Sequence, residues 1–125
     1  MGELSLEKQQ YTNSRLIEVA MVMKKVEIHL SKEQMTALSK IMSSYLANLD
    51  LSYIDSKALF YLLYAIYESK LRKKMLSLKP TMKLSLDMSQ AWAMVAMIQE
   101  MNLIAWPYEN QLGQYIISEI DHQTT

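Results

Sequence analysis

The chain has 125 residues, 50% of them hydrophobic and 21% charged, and its formal net charge is zero. That length suits a single domain over residues 1–125 with a core that needs no staples, and the lack of cysteine excludes a disulfide framework and any thiolate metal site. The opening residues MGELSLEKQQ are too polar for a signal peptide, and the longest apolar run, ALFYLLYAIY, would rise only about 15 Å as a helix, half a bilayer core; the expectation is a soluble, cytoplasmic protein with no membrane contact.

Two glycines and two prolines leave little punctuation, which favours long helices over many short strands. Leu4 to Met23 reads as a helix with Ser5 as its cap, or, from the alternation of Ile17, Val19, Met21 and Met23, as a strand; residues 1–22 are accordingly an N-terminal helix or extension. KVEIHLS then alternates Val26, Ile28 and Leu30 with Glu27 and His29, the period of a half-buried strand. Ser31 and Gln34 make a capping box, and Met35, Leu38, Met42, Tyr45 and Leu49 follow at helical spacing. A second helix starts at Ser52 or Asp55 and runs to about Leu76. It is apolar nearly all round from Ala58 to Tyr67, as suits a central helix. TMKLSLD repeats the strand pattern with Met82, Leu84 and Leu86. Asp87 and Gln90 make a second capping box, and Ala91, Met94, Val95, Ile98 and Met101 form the next stripe. A last helix takes Pro107 at its first position, turns Tyr108, Leu112, Tyr115, Ile116 and Ile120 inward with Gly113 off that face, and ends in a frayed tail over 122–125.

Aligned at an offset of 56, the two strand-and-cap segments match: Ser31 with Asp87, Gln34 with Gln90, Ala37 with Ala93, Leu38 with Met94. A repeated strand–helix unit of this kind lets the two strands pair, with Glu27 or His29 facing Lys83 or Ser85. The expected fold is therefore mainly α: a compact bundle of four to five helices with one short two-stranded antiparallel β ribbon, and an all-α bundle as the alternative. The expected core runs through Leu38, Met42, Leu62, Ile66, Val95 and Ile98.

Chemistry is scarce. The only glycines, Gly2 and Gly113, allow neither a phosphate-cradling loop nor a nucleophile elbow. With two histidines and no cysteine, a zinc site would need carboxylates, and a strand-to-helix junction separates His29 from Glu33. No catalytic residue, metal ligand or cofactor site stands out. Asp50 and Asp55 flank a loop and read as caps.

Charge is unevenly spread. Residues 1–69 carry a net −1, and residues 84–125 carry five acids and no Lys or Arg. Between them Lys70, Arg72, Lys73, Lys74, Lys79 and Lys83 stand within fourteen residues without an acid. Such a cluster could meet phosphate, or it could be the basic end of a helix, complementing the macrodipole, followed by a turn. Pro80 divides the six between three elements. Trp92, Met97 and Trp106 are the candidate interface residues, because aromatic and methionine side chains anchor contacts. The apolar excess and zero net charge point to a non-enzymatic interaction module that forms a homo-oligomer or takes a protein partner. Nucleic-acid binding through 70–83 is the second reading, and a small enzyme of unknown reaction the third.

Overall fold

The computed structural model describes residues 24–124. The element expected over residues 1–22 lies outside them. The chain is mainly helical with one two-stranded antiparallel ribbon, in the order β1 (Val26–Ser31), α1 (Lys32–Asn48), α2 (Ile54–Ile66), a π-helical turn (Tyr67–Leu71), α3 (Arg72–Met75), β2 (Thr81–Leu86), α4 (Met88–Glu100) and α5 (Pro107–Thr124). No helix among the described residues is long and apolar enough to cross a membrane.

The ribbon follows from its alternation. Val26, Ile28 and Leu30 on one strand and Met82, Leu84 and Leu86 on the other are all buried, while Glu27, His29 and Lys83 face outward. The register places Ile28 opposite Leu84 and His29 opposite Lys83. Lys83 reaches diagonally to Glu27 at 3.3 Å, a half-exposed pair that contributes little. Both strands end in the expected capping boxes. The Gln34 backbone donates to Ser31 Oγ (3.1 Å) while Gln34 Oε1 accepts from the Ser31 N–H (2.9 Å). Asp87 and Gln90 repeat the exchange at 2.7 and 3.1 Å.

The repeat extends further than the strands and caps. Ile28 and Leu84, equivalent at the offset of 56, are also paired opposite one another, so the ribbon has a pseudo-twofold axis at its centre. Both first helices end on an extended residue, Leu49 and Met101. Each loop then makes an Asx turn, with Asp50 accepting from the Ser52 N–H and Asn102 from the Ile104 N–H. Each second helix opens on an aromatic residue whose carbonyl takes its first bond, Tyr53 O from Lys57 N–H and Trp106 O from Asn110 N–H. The unit is thus strand, capped helix, Asx turn, second helix, used twice.

The two units close each other's sheet edges. A two-stranded ribbon leaves a row of unpaired backbone groups on both sides. On β1 the Gln123 side chain accepts from the Glu27 N–H at 2.9 Å and donates to the Glu27 carbonyl at 2.8 Å, and the Tyr115 hydroxyl donates to His29 O at 2.9 Å. On β2 the Lys70 ammonium donates to Ser85 O, the position equivalent to His29. The outer edge of each strand is therefore met from the other unit, at three backbone groups of β1 by α5 and at one of β2 by Lys70 of the π turn that follows α2. The tail expected to fray is helical to Thr124 for this reason: Gln123 acts as a one-residue partner strand, and Lys24 Nζ donates to the Gln123 carbonyl at 2.7 Å.

The second helix departs from expectation in two ways. It is not one α-helix. The inward stripe Leu59, Leu63 and Ile66 would continue in an ideal helix at Lys70. The π turn inserts one extra residue, so Leu71 takes the buried place and Lys70 lies beside it, free to reach the ribbon. Nor is the helix central. It packs against α4 and α1 with one side, and among the described residues nothing covers its other face.

The core joins both faces of the repeat around Leu38, Met42, Ile66 and Ile98, with Ile28, Leu84, Leu63, Met94 and Ile116. Leu62 and Val95, expected there, are only partly buried against it because each sits one step off its helix's inward line. Gly113 is buried rather than turned away: a Cβ there would stand 2.8 Å from Ile98 Cγ2, so the absent side chain is what lets α5 approach α4. Tyr108, expected inward, is exposed at the start of α5.

Candidate interaction surface

Two open apolar areas emerge from this packing. The first is the outer face of α2. With Leu59, Leu63 and Ile66 turned to the core, helical spacing puts Ile54, Lys57, Ala58, Tyr61, Tyr64 and Ala65 on the opposite side, and all six are exposed. Ile54 is 82% and Tyr61 72% accessible, values unusual for large apolar groups in one contiguous stripe. Phe60 stacks on Tyr64 with centroids 5.8 Å apart and meets Tyr61 edge to face at 6.2 Å, so the aromatic surface is held in a fixed arrangement.

The second area is the α4–α5 connection, where Ile104, Trp106 and Tyr108 are exposed. Trp106 and Trp92 therefore stand where a contact could use them. Met97 does not: it has no accessible surface and belongs to the core, because α4 turns Ala93, Met94, Met97 and Ile98 toward the ribbon and α2. The α2 stripe was missed in the sequence because a helix apolar on both sides carries no mark of which side is open.

The basic segment is largely committed elsewhere. Lys70 donates to Ser85 O and, at 2.8 Å, to Gln90 Oε1 of the second capping box. Burial, then the charge of Lys25, holds its pKa below the ordinary lysine range, with Asp87 opposing. Arg72 Nη1 donates to both carboxylate oxygens of Glu68 one turn earlier, at 2.9 and 3.0 Å. Lys73 lies exposed on α3. Lys74, Lys79 and Lys83 are brought together around a cleft of about 420 Å³ with Ser77 and Thr81, although they come from three elements.

A further cleft of about 490 Å³ lies between the end of α1 and the start of α2, lined by Tyr45, Asn48, Tyr53, Ser56 and Glu100 among others. Its one specific contact is the Tyr45 hydroxyl donating to the Glu100 carboxylate. Burial first, then that hydrogen bond and the carboxylate's charge, raise the Tyr45 pKa well above its ordinary 10.0. A raised folded-state pKa means the folded protein holds this proton more tightly than the unfolded chain. The stability it contributes is complete below pH 10 and is lost as pH rises beyond that. An alkaline absorbance titration is expected to end in a late step from Tyr45 and from Tyr115, whose pKa burial and the Glu119 charge also raise, and Tyr45→Phe is expected to shrink that step. The contact clasps the end of α1 to the end of α4; the cleft's two serines, Ser44 and Ser56, have no histidine beside them among the lining residues, and among the described residues no three His, Asp or Glu side chains converge as a metal site.

Comparison with protein-family models, with curated proteins and with solved structures finds no match to this chain.

Proposed function

We propose that this protein is a non-enzymatic interaction module that self-associates. The observation that carries the reading is the outer face of α2, a contiguous apolar and aromatic stripe left in solvent by a helix whose other side fills the core. Leaving such a stripe in water is unfavourable by roughly 25 cal/mol for each Å² of apolar area, and a partner removes that penalty. A formal net charge of zero adds little repulsion between copies. Sedimentation of the full chain over a concentration series at physiological salt tests this. The mass is expected to rise from 14.5 kDa toward twice that value. A mass fixed at 14.5 kDa to high micromolar concentration overturns the reading.

The gathering of Lys74, Lys79 and Lys83 around one cleft supports a second reading, in which the chain touches phosphate. Three lysine contacts would lose roughly 40-fold in affinity between 50 and 200 mM salt. The segment 70–83 has no aromatic residue and no Asn or Gln with which to read bases. The expected result of fluorescence anisotropy with duplex and single-stranded probes is weak, sequence-blind binding that fades at physiological salt. Sub-micromolar binding that survives that salt, and is lost in Lys74→Ala/Lys79→Ala, would put this reading first.

A further inference from the structure

We propose that α2 is the self-association element itself, and that two copies of the chain pack their α2 outer faces against each other antiparallel, about a twofold axis crossing the helix between Leu62 and Leu63. This deepens the self-association reading and rests on it.

The internal repeat supplies the control. α2 and α5 are the equivalent second helices of the two units. The exposed side of α5 carries Gln111, Gln114, Ser118 and Asp121, as a solvated helix should. The exposed side of α2 carries Ile54, Ala58, Tyr61 and Ala65 at the spacing of one face, with Tyr64 beside them. Two copies of one architectural part thus differ in the chemistry of their open face, and only α2 is built to be covered. Ala58 and Ala65, one heptad apart around Tyr61, allow a close helix approach with Tyr61 as a knob between them.

The charges select a second copy as the occupant, and select its direction. A twofold contact must be self-complementary. Lys57 and Glu68 bracket the aromatic centre, and Lys57 is exposed while Glu68 is partly so. Antiparallel pairing about their midpoint sets Lys57 against Glu68 of the partner subunit, twice by symmetry, each carboxylate then lying between that lysine and the Arg72 it already holds in its own chain, and Tyr61 against Tyr64 of the partner subunit. The same register brings the acidic entry to α2, Asp50 and Asp55, alongside the basic exit, Arg72 and Lys73; all four are exposed. Parallel pairing would oppose like charges and align the helix dipoles. Lys73 at the helix end thereby acquires a complement that needs no phosphate, whereas Arg72 already has one in its own Glu68, 2.9 Å away. One helix face of about 20 Å by 10 Å is small against the roughly 800 Å² per partner of a standard stable complex, so the association is reversible and in the micromolar range.

The experiment is sedimentation of the full chain with exchanged charges. Lys57→Glu alone and Glu68→Lys alone each place like charges together at both ends, and each is expected to weaken the dimer about tenfold at low salt. An equimolar mixture of the two single variants is expected to recover the wild-type affinity as a heterodimer, and K57E/E68K in one chain to recover it as a homodimer. Tyr61→Glu, at a position 72% exposed, is expected to keep the native circular dichroism and lose the dimer. A wild-type chain that dimerises and is indifferent to all these changes overturns the α2 arrangement while leaving self-association in place. A wild-type chain that never dimerises overturns both. Weakening by the single variants with no recovery in either the mixture or the double variant overturns the antiparallel register.

Discussion

Leu63→Ala is expected to destabilise the protein by about 2–5 kcal/mol. Leu63 has no accessible surface and sits in the inward stripe of α2, within the cluster that joins the ribbon to the helices. Removing its isopropyl end costs the transfer energy of the lost carbons, and it leaves a cavity that the surrounding branched side chains cannot fill. Leu62, its neighbour in sequence, is only partly buried, and Leu62→Ala is expected to cost about 1 kcal/mol. Urea unfolding of the two variants at one protein concentration separates them. Equal losses would show that the helix is rotated from the orientation described, and the open face of α2 would then have to be redrawn.

Gly113→Ala is the second informative substitution, because two effects oppose. In an isolated helix the change gains up to about 1 kcal/mol in propensity. Here the new methyl would lie 2.8 Å from Ile98 Cγ2. That atom branches directly from Cβ on a stiff, buried isoleucine, so it cannot swing aside as the end of a long chain would. Overpacking of this kind costs about 1–3 kcal/mol. The expected outcome is a net loss of about 1–2 kcal/mol and a lower melting temperature. A variant that melts higher than the parent would mean that α5 stands further from α4 than the structure has it.

The parts of this fold that could be read from sequence are those with a local cause. Ser31 with Gln34 and Asp87 with Gln90 fix two helix starts through contacts three residues apart, and the period of two in 26–30 and 82–86 fixes a half-buried ribbon. The repeat allows Glu27 or His29 to face Lys83 or Ser85, and the register sets Glu27 opposite Ser85 and His29 opposite Lys83. What could not be read depends on distant partners. Gln123 looks like tail composition until β1 is placed beside it. Gly113 looks like a helix weak point until Ile98 stands opposite. The π turn is visible only as the misfit of Lys70 in an apolar stripe. Met97, chosen for an interface, is indistinguishable by type from a core methionine, and α4's packing on both the ribbon and α2 makes it one. Trp92 and Trp106 could be singled out as large apolar residues at stripe edges, and both are exposed. The open face of α2 had the opposite problem: too many apolar positions to show which of them lacked a partner.

The claim that two copies meet at α2 is tested most directly by a thiol cross-link, since the chain has no cysteine of its own. Tyr61→Cys places the only thiol close to the proposed twofold axis, where the two copies' sulfurs come within bonding range. Ile104→Cys places it on the α4–α5 connection, 80% exposed and outside the proposed contact. After mild oxidation of each full-length variant at high micromolar concentration, a non-reducing gel is predicted to show a covalent dimer for Tyr61→Cys and monomer for Ile104→Cys. Dimer from Ile104→Cys with none from Tyr61→Cys would contradict the account and move the contact to the α4–α5 connection.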